Sequence, residues 1–270
     1  MASPIITLLT DFGLQDGYVA SMKGVILTIC PQAAIIDITH AIPPQDIRSA
    51  AFVLHTVRSS FPRGTIHVVV VDPGVGTERK GIAIQTPGCM LIGPDNGVFS
   101  WVLRDTPPLG ARSLENAQFR RASVSATFHG RDVFAPAAAH LASGVALEAL
   151  GPPCTPLVAE WSTPSLEAGA LRGEVIHIDR FGNAITSITE KDLESFVAGA
   201  GALCVRTKDR TIGPLSRTYG DRQPGSVLAL IGSSDHLELA VNRGHCARSL
   251  DLKLGDPIHV TRSKIGRAHV

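Results

Sequence analysis

The sequence predicts an α/β fold in two parts: an N-terminal α/β/α sandwich with a largely parallel central sheet, and a smaller C-terminal antiparallel β-barrel domain. In the first part, short apolar runs rich in β-branched residues alternate with segments of helical periodicity, which is typical of strands joined by helices. Residues 66–71 include four consecutive valines and predict a strand buried on both faces. From residue 173 onward, short alternating strands follow one another. The predicted division is an N-terminal domain at 1–152, a linker at 153–170, a barrel domain at 171–263 and a tail at 264–270.

The composition indicates a globular chain with a small-molecule partner. With 270 residues and 44% hydrophobic content, the chain is long enough to bury a sizeable core. Lys and Arg number 25 against 24 for Asp and Glu, so there is no electrostatic case for binding nucleic acid or a membrane surface. No apolar run approaches the ~20 residues of a membrane span, and the first apolar run is too short for a signal peptide.

The cysteines predict a reducing compartment. They are odd in number, far apart and never in a C-x-x-C pair, which argues against a disulfide framework and against a zinc site. We therefore expect a cytoplasmic protein. The cysteines are Cys30, Cys89, Cys154, Cys204 and Cys246.

The first predicted elements are a strand, a loop and a helix. Residues 5–10 form a short strand, and Asp11 follows where that buried strand stops. Asp16 lies in the loop after it. From residue 18 to residue 29 the apolar positions recur at helical spacing, and Pro31 closes the helix.

A second strand and helix come next. Residues 34–38 predict another buried strand, which ends just before His40. Two consecutive prolines then precede a helix predicted over residues 46–59. Alternation of this kind predicts a largely parallel sheet with helices on both faces.

The third strand, residues 66–71, leads into the turn that organises the predicted site. Asp72 stands at the end of the strand, and Pro-Gly-Val-Gly follows it. Proline fixes one φ and glycine admits positive φ, so this string predicts a tight turn. The next apolar run, residues 81–84, predicts a return strand that brings Arg79 back toward Asp72. Ligands of open α/β sheets collect at such an edge, although a structural ion pair is the alternative.

The remainder of the first part ends in the predicted linker. Residues 89–93 predict a strand closed by a Pro-Asp-Asn-Gly turn. His129 lies just before an alanine-rich segment that predicts a helix ending near residue 143. The stretch from 151 to 171 is polar, proline-bearing and weakly periodic, which is typical of a linker.

The C-terminal part predicts an antiparallel barrel or sandwich with one short helix, at about residues 191–196. The final residues, 264–270, resemble the in-frame translation of a common sequencing adapter. We expect disorder there, whether the string is artefactual or a natural basic tail. The predicted strands are residues 173–178, 184–188, 202–205, 227–231, 236–241 and 257–260.

Several acids, two histidines and an asparagine, most of them after predicted strands, are candidates for chemistry. Together they could hold divalent metals for hydrolysis, but each has a structural alternative as a turn residue, a helix cap, a core histidine or an ion-pair partner. The chain has no H-E-x-x-H, no Walker-type loop and no G-x-S-x-G, and its Pro-Gly-Val-Gly turn lacks the third glycine of a dinucleotide fingerprint. Residue spacing therefore names no reaction. The candidates are Asp11, Asp16, His40, Asp72, Asp95, Asn96 and His129.

Ordered motifs along most of the chain resemble the S-adenosylmethionine hydroxide adenosyltransferase family, whose relatives include fluorinating and chlorinating enzymes. The resemblance covers about residues 5–260. The motifs are Thr10-Asp11-Phe12-Gly13, Met22-Lys23-Gly24-Val25-Ile26-Leu27, Asp37-Ile38-Thr39-His40, Ile42-Pro43-Pro44, Val71-Asp72-Pro73-Gly74-Val75-Gly76-Thr77, Gly93-Pro94-Asp95-Asn96-Gly97, Phe128-His129-Gly130-Arg131-Asp132 and Asp179-Arg180-Phe181-Gly182-Asn183.

The resemblance implies an activity and an assembly. The reaction is S-adenosylmethionine plus water giving adenosine and L-methionine, with S-adenosylmethionine as substrate and with no cofactor and no metal. The implied assembly is a homotrimer whose active sites lie between the N-terminal domain of one subunit and the C-terminal domain of the next. Asp72, Arg79 and His129 match the catalytic set of the family.

The resemblance also implies substrate contacts. Asp11 matches the acid that accepts both ribose hydroxyls, whereas Asp16 and Asp179 match groups that meet the methionine ammonium. Two positions depart from the halogenating relatives: Gln45 replaces an aromatic residue and Ser234 replaces an arginine. The contacts at those two positions are therefore open.

Further implied contacts lie in the C-terminal part. Ser233 matches the residue at the methionine carboxylate, and Asn183 carries an amide suited to an adenine edge. Phe181 is placed to stack on the base. Val241 is a candidate through its backbone.

Hydroxide rather than halide is the expected nucleophile. The fluorinating relatives carry an extra loop before the motif at 93–97, lack the acid at Asp72 and have a serine where Gly130 stands. An acidic neighbour would repel a halide, so hydrolysis is the prediction. The alternatives are a halogenase, a metal-dependent phosphohydrolase, and a non-catalytic protein that binds S-adenosylmethionine or adenosine.

Overall fold

The computed structural model describes residues 3–161, 163–197 and 202–262. The chain divides into two compact units, Met1–Ala159 and Glu160–Val270. The predicted tail at 264–270 lies outside the described residues. Among the helices in the described ranges, none is long and apolar enough to cross a membrane.

The N-terminal unit is built on a sheet that has six strands within the described residues, in the order β2-β1-β3-β5-β4-β6. The strands are β1 (Ile5–Thr10), β2 (Ala34–Thr39), β3 (Ile66–Val70), β4 (Gly81–Gln85), β5 (Met90–Pro94) and β6 (Gly110–Ser113). The helices are α1 (Tyr18–Ile29), α2 (Ile47–Val57), α3 (Ser100–Asp105) and α4 (Ala135–Ala142).

The sheet is mostly parallel and is covered on both faces. Strands β2, β1, β3 and β5 pair in parallel, whereas β4 pairs antiparallel with both β5 and β6. Apolar side chains of α1 and α4 pack on one face, and those of α2 and α3 pack on the other. The predicted α/β class is therefore confirmed for this part, including the return strand β4.

Burial along the strands follows the position of each strand in the sheet. Strand β3 lies in the interior of the sheet and is buried at every residue, as the valine run predicts. Strand β2 lies at the sheet edge, and Ile36 is 40% exposed. The prediction of a second buried strand was wrong, because an edge strand is covered on fewer sides than an interior one.

The C-terminal unit is a nearly closed antiparallel barrel. Within the described residues its strands follow the order β11-β10-β14-β8-β9-β13-β12, with β7 paired to β8. Strands β11 and β12 lie in contact, which brings the two ends of the sheet together. The elements are β7 (Ser165–Glu167), β8 (Ala170–Ile178), β9 (Ala184–Thr189), α5 (Glu190–Val197), β10 (Leu203–Thr207), β11 (Arg210–Ile212), β12 (Val227–Ile231), β13 (His236–Val241), α6 (Cys246–Ser249) and β14 (Pro257–Arg262).

Several short elements differ from the sequence prediction. Helix α6 adds to the single helix predicted for the C-terminal part, and the strands β6, β7 and β11 were not predicted. The segment predicted as a linker contains β7 and is partly held by the N-terminal unit, since the Leu157 N–H donates to the Asp95 carboxylate at 2.8 Å. Elements of three or four residues carry too little periodicity to be seen in sequence. The domain boundaries stay a prediction.

Candidate active site

The turn after β3 carries the first candidate group. Gly76 has φ of +76°, and a Cβ at this position would lie 2.3 Å from the carbonyl oxygen of Ala126. Only glycine fits both the backbone conformation and this close approach. The turn therefore lies directly against the segment that leads to His129.

Asp72 and Arg79 form a buried, two-point ion pair across this turn. Arg79 Nε donates to Asp72 Oδ1 at 3.0 Å, and Arg79 Nη2 donates to Asp72 Oδ2. The side chains are only 5% and 8% exposed, respectively. The Arg79 guanidinium also lies over the ring of Phe134, 5.5 Å from its centroid. The predicted meeting of a carboxylate and a guanidinium at this sheet edge is confirmed.

His129 is the third member of the group. Arg79 Nη2 lies 3.1 Å from His129 Nδ1. Because a guanidinium can only donate, Nδ1 must accept, and the imidazole is neutral with its proton on Nε2. Burial, together with the Arg79 charge, lowers the pKa of His129 below its ordinary value. The arrangement therefore keeps this histidine uncharged near neutral pH.

The carboxyl group of Asp72 is a stronger base than an exposed aspartate. Burial raises its pKa above the ordinary value, and the nearby Asp11 charge adds to that rise. The Arg79 guanidinium opposes both effects without cancelling them. A carboxylate that is held in place and raised in pKa is suited to accepting a proton.

Asp72 and His129 border an open cleft of about 440 Å³. Asp11 lines it and accepts a hydrogen bond from the backbone N–H of Gln45 at 2.8 Å. Gln45 itself has φ of +67°, a conformation that non-glycine residues rarely adopt. The residues lining the cleft are Asp11, Phe12, Tyr18, Pro44, Gln45, Val70, Asp72, Pro73, Val75, Thr127, Phe128, His129 and Gly130.

Two of the predicted site residues, Asp16 and Arg79, lie outside this lining. Asp16 is exposed in the loop before α1 and lies outside this lining. Arg79 also lies outside the lining and reaches the cleft through its contacts with Asp72 and His129.

The segment before α4 is fixed by a buried carboxylate. Asp132 accepts from Arg131 at 2.7 Å and from the Ser125 N–H at 2.8 Å, and it is fully buried. Burial alone would raise the pKa of Asp132, but these hydrogen bonds hold it at about 2. A π-helical turn, Gly130–Phe134, joins His129 to α4. Such turns are frequent at functional sites.

A second cleft, of about 720 Å³, lies in the C-terminal unit. It brings together five residues that the resemblance singled out, although they come from separate parts of the sequence. Ser234 lies outside this lining in the described structure. The five are Asp179, Phe181, Asn183, Ser233 and Val241.

Asp179 organises the loop at the mouth of this cleft. Its Oδ1 accepts from the backbone N–H groups of Phe181 and Asn183 at 2.9 and 2.8 Å. Its Oδ2 accepts from the Asn183 amide at 3.0 Å. Phe181 is left 74% exposed, so a large aromatic face is available to a planar ligand.

The second cleft also contains residues that the sequence analysis missed. Tyr219 donates its hydroxyl to Glu238 at 2.7 Å, and burial raises the pKa of that buried carboxyl. The signal was present in β13, where Leu237 and Leu239 enter the core and Glu238 alternates with them. The missed lining residues are Tyr219, Glu238, Arg243, Gly244 and His245.

The described ranges contain no cluster of three or more His, Cys, Asp or Glu side chains arranged to hold a metal ion. A partly buried Asp–Arg–His group at the carboxyl edge of a mostly parallel sheet, beside an open cleft, defines an α/β protein with a small-molecule site. A barrel unit with its own cleft follows it in the chain.

The comparisons with known proteins specify the family. Residues 6–151 match the model for the SAM hydroxide adenosyltransferase N-terminal domain, and residues 173–259 match the model for the C-terminal domain. The chain belongs to the SAM hydroxide adenosyltransferase family.

Individual relatives match over nearly their whole length. An (R)-S-adenosyl-L-methionine hydrolase of Thermus thermophilus is 41% identical over 94% of this chain and 98% of that protein. A protein of the same name from Methanocaldococcus jannaschii is 34% identical over 95% of each chain. A fluorinase of Nocardia brasiliensis is 29% identical over 95% of this chain and 96% of that protein. The crystal structure of an uncharacterized conserved protein from Thermotoga maritima superposes with a TM-score of 0.89, at 37% identity and over 95% and 100% of the two chains.

Proposed function

We propose that this protein hydrolyses S-adenosyl-L-methionine at the ribose C5′ carbon, giving adenosine and L-methionine. The observation that carries the proposal is the partly buried Asp72–Arg79–His129 group at the edge of an open cleft. Relatives named as S-adenosyl-L-methionine hydrolases are 34% to 41% identical, whereas the fluorinases are 28% to 29% identical. Both comparisons favour water as the nucleophile.

The chemistry needs a positioned water and little else. The water oxygen forms a bond to C5′ on the side opposite sulfur, and the C5′–S bond breaks with its electron pair left on sulfur. A neutral thioether leaves without needing an acid. The proton of the attacking water must go to a base, and a base placed for this purpose accelerates such reactions by about 10²–10⁴-fold.

Asp72 is the proposed base. Its carboxylate keeps acceptor capacity beyond the two bonds from Arg79, and burial raises its pKa. His129 cannot take the proton on Nδ1, which already accepts from Arg79. We assign to its Nε2–H the role of donating to the water oxygen and orienting it. Arg79 contacts both Asp72 and His129 and so fixes their positions relative to each other.

The substrate contacts divide between the two clefts. Asp11 in the N-terminal cleft is proposed to accept the two ribose hydroxyls, and the exposed Asp16 to meet the methionine ammonium. In the C-terminal cleft, Asp179 is proposed for the same ammonium and Ser233 for the methionine carboxylate.

The adenine contacts are proposed for the same C-terminal cleft. Asn183 takes an adenine edge, Phe181 stacks on the base, and Val241 contributes its backbone. The exposure of Phe181 supports a stacking role.

Purified protein incubated with S-adenosylmethionine should release adenosine and methionine, and a chelator should leave the rate unchanged. Chromatography of the products distinguishes the alternatives. A binding protein would return the substrate intact, and a halogenase supplied with chloride would give a 5′-chlorinated nucleoside. Loss of activity in EDTA, restored by a divalent ion, would favour a metal-dependent hydrolase instead.

We further propose a homotrimer in the cytoplasm, with each active site formed by the N-terminal unit of one subunit and the C-terminal unit of the next. Support comes from the way in which the proposed site residues are distributed over the two clefts. The proposed base and ribose acceptor line one cleft, and the proposed adenine and carboxylate contacts line the other. An oligomer with closed symmetry lets each subunit contribute both halves.

Mixing two inactive variants tests this assembly. Asp72→Asn spoils the N-terminal half of a site and Asn183→Ala spoils the C-terminal half. In randomly mixed oligomers, about a quarter of the shared sites would combine two intact halves, so activity should return on co-refolding. Ultracentrifugation should show three subunits. An active monomer, or no recovery of activity on mixing, would refute shared sites.

A further inference from the structure

We propose that Thr10 and His40 are positioning residues that hold the Asp11 carboxylate in the orientation needed to accept a ribose diol. The inference rests on the proposed function, because it assigns no new reaction. Its starting point is His40, the last residue of an Asp-Ile-Thr-His motif. This histidine is buried beside the cleft without lining it.

A direct hydrogen bond joins His40 to the residue before Asp11. Thr10 Oγ1 lies 2.9 Å from His40 Nδ1, and both side chains are buried. The same Thr10 oxygen accepts from the backbone N–H of Phe12 at 3.2 Å. One hydroxyl group therefore spans Asp11, fixing the chain on both sides of it.

The other ring nitrogen of His40 lies near an ion pair between Asp37 and Lys23. His40 Nε2 lies 3.1 Å from Asp37 Oδ1, and Lys23 Nζ lies 2.6 Å from Asp37 Oδ2. Burial would raise the pKa of Asp37, but hydrogen bonds from Lys23 and His40 lower it below its ordinary value. With the ring proton on Nε2, the atom that lies near Asp37, Nδ1 accepts the Thr10 hydroxyl proton.

Backbone contacts complete the support for Asp11. The Gly13 N–H donates to the His40 carbonyl at 2.8 Å. The Gln45 N–H donates to Asp11 Oδ2, also at 2.8 Å. The loops after β1 and β2 are thus tied together at three points around one carboxylate.

This support has a chemical purpose. A carboxylate accepts two adjacent hydroxyls at once only when its plane is aligned with both, and fixing that plane before binding avoids an entropic cost on binding. If Asp11 moved out of this alignment, one of its two proposed hydrogen bonds to the ribose hydroxyls would be lost before the other. Discrimination between a ribose and a 2′-deoxyribose substrate reports this alignment directly.

The test compares kcat/KM for S-adenosylmethionine and for its 2′-deoxyadenosyl analogue. Thr10→Val is nearly isosteric and removes the hydroxyl, so the ratio of the two values should fall by about tenfold, the worth of one hydrogen bond to a charged group. Thr10→Ser keeps the hydroxyl and should keep most of the ratio. Asp11→Asn should lower the ratio at least as far as Thr10→Val.

The chain contains a matched control on the same strand. Thr7 Oγ1 lies 2.7 Å from Nδ1 of His67, and both residues are fully buried in β1 and β3. Thr7→Val therefore removes the same kind of threonine–histidine bond away from Asp11. It should lower the melting temperature as Thr10→Val does, while the ribose to deoxyribose ratio stays at the wild-type value.

The outcomes that would overturn the positioning role are distinct. A folded Thr10→Val protein with the wild-type ratio overturns the positioning role, and so does an equal fall of the ratio in Thr7→Val. If Thr10→Val does not fold, His40→Leu breaks the same bond from its other partner and must lower the ratio. If Asp11→Asn leaves the ratio unchanged, the ribose contact of Asp11 is refuted, and with it the positioning role.

Failure of the proposed reaction would be seen separately. In that case the wild-type protein releases no adenosine. The same variants are then compared by calorimetry for their relative affinity toward adenosine and 2′-deoxyadenosine, and an unchanged ratio in Thr10→Val again overturns the positioning role.

Discussion

Asp72→Asn should reduce the turnover number at saturating S-adenosylmethionine by about 10²-fold or more, with a much smaller change in substrate affinity. The amide keeps the size of the carboxyl group but cannot take the proton of the attacking water. Since Asp72 is proposed to act on the nucleophile, its removal affects the transition state more than the bound substrate. Adenosine release gives the rate, and equilibrium binding gives the affinity.

The pH dependence of the same variant provides a second readout. The wild-type rate should rise with pH, and the midpoint of this rising limb should lie above 3.8, the ordinary pKa of aspartate. The reason is that burial raises the pKa of Asp72 and only its charged form is a base. Asp72→Asn should lose that limb. Neutral His129 adds no limb near pH 7, since its pKa is lowered.

Asp11→Asn is the contrasting variant. It should weaken binding first, because each charge-assisted hydrogen bond to the ribose is worth roughly 1.5–3 kcal/mol. Unchanged turnover in Asp72→Asn would remove Asp72 from the mechanism. The Asp72–Arg79 pair would then be a structural feature of the turn.

Arg79→Met should destabilise the protein by about 3–5 kcal/mol, because it leaves a buried carboxylate without its partner. Turnover should fall as well, since Arg79 also holds His129. Without the guanidinium the pKa of Asp72 rises further, so whatever activity remains should require a higher pH than in the wild type. Urea denaturation measures the free energy of unfolding, and adenosine release measures the rate.

An exposed ion pair provides the control for this variant. Arg172 lies 2.8 Å from Glu167, but their side chains are 46% and 53% exposed. Arg172→Met should therefore cost no more than about 1 kcal/mol, the usual range for surface pairs. If the two variants lose equal stability, the burial of the Asp72–Arg79 pair has no energetic weight.

Much of the fold could be predicted because its signals are local and strong. Helix α1 has the predicted bounds, 18–29, since its apolar residues repeat at the helical period. Asp72 and Arg79 meet as predicted, because a glycine-containing turn followed by a return strand leaves few other arrangements. The exposed edge position of β2 could not be predicted, since strand order is set by contacts far apart in sequence.

The site was predictable where a side chain follows a strand and less so elsewhere. Asp11 and Asp72 line one cleft because parallel strands end at the same edge. Glu238 was missed although it alternates with two core leucines in β13. Tyr219 was missed because its hydrogen bond to Glu238 joins a short helical turn to a strand, a pairing that no spacing rule encodes. The backbone bond from Gln45 to Asp11 depends on an unusual φ that sequence does not reveal.

Because a π-helical turn follows His129, the direction of the His129 side chain depends on the number of residues in that turn. A helix advances by roughly 100° for each residue, and a π-helical turn accommodates one residue more than a regular turn does. The π-helical turn therefore sets the angle, measured around the axis of α4, at which His129 faces Arg79. The number of residues between His129 and α4 therefore matters for the site, and not only which residues they are.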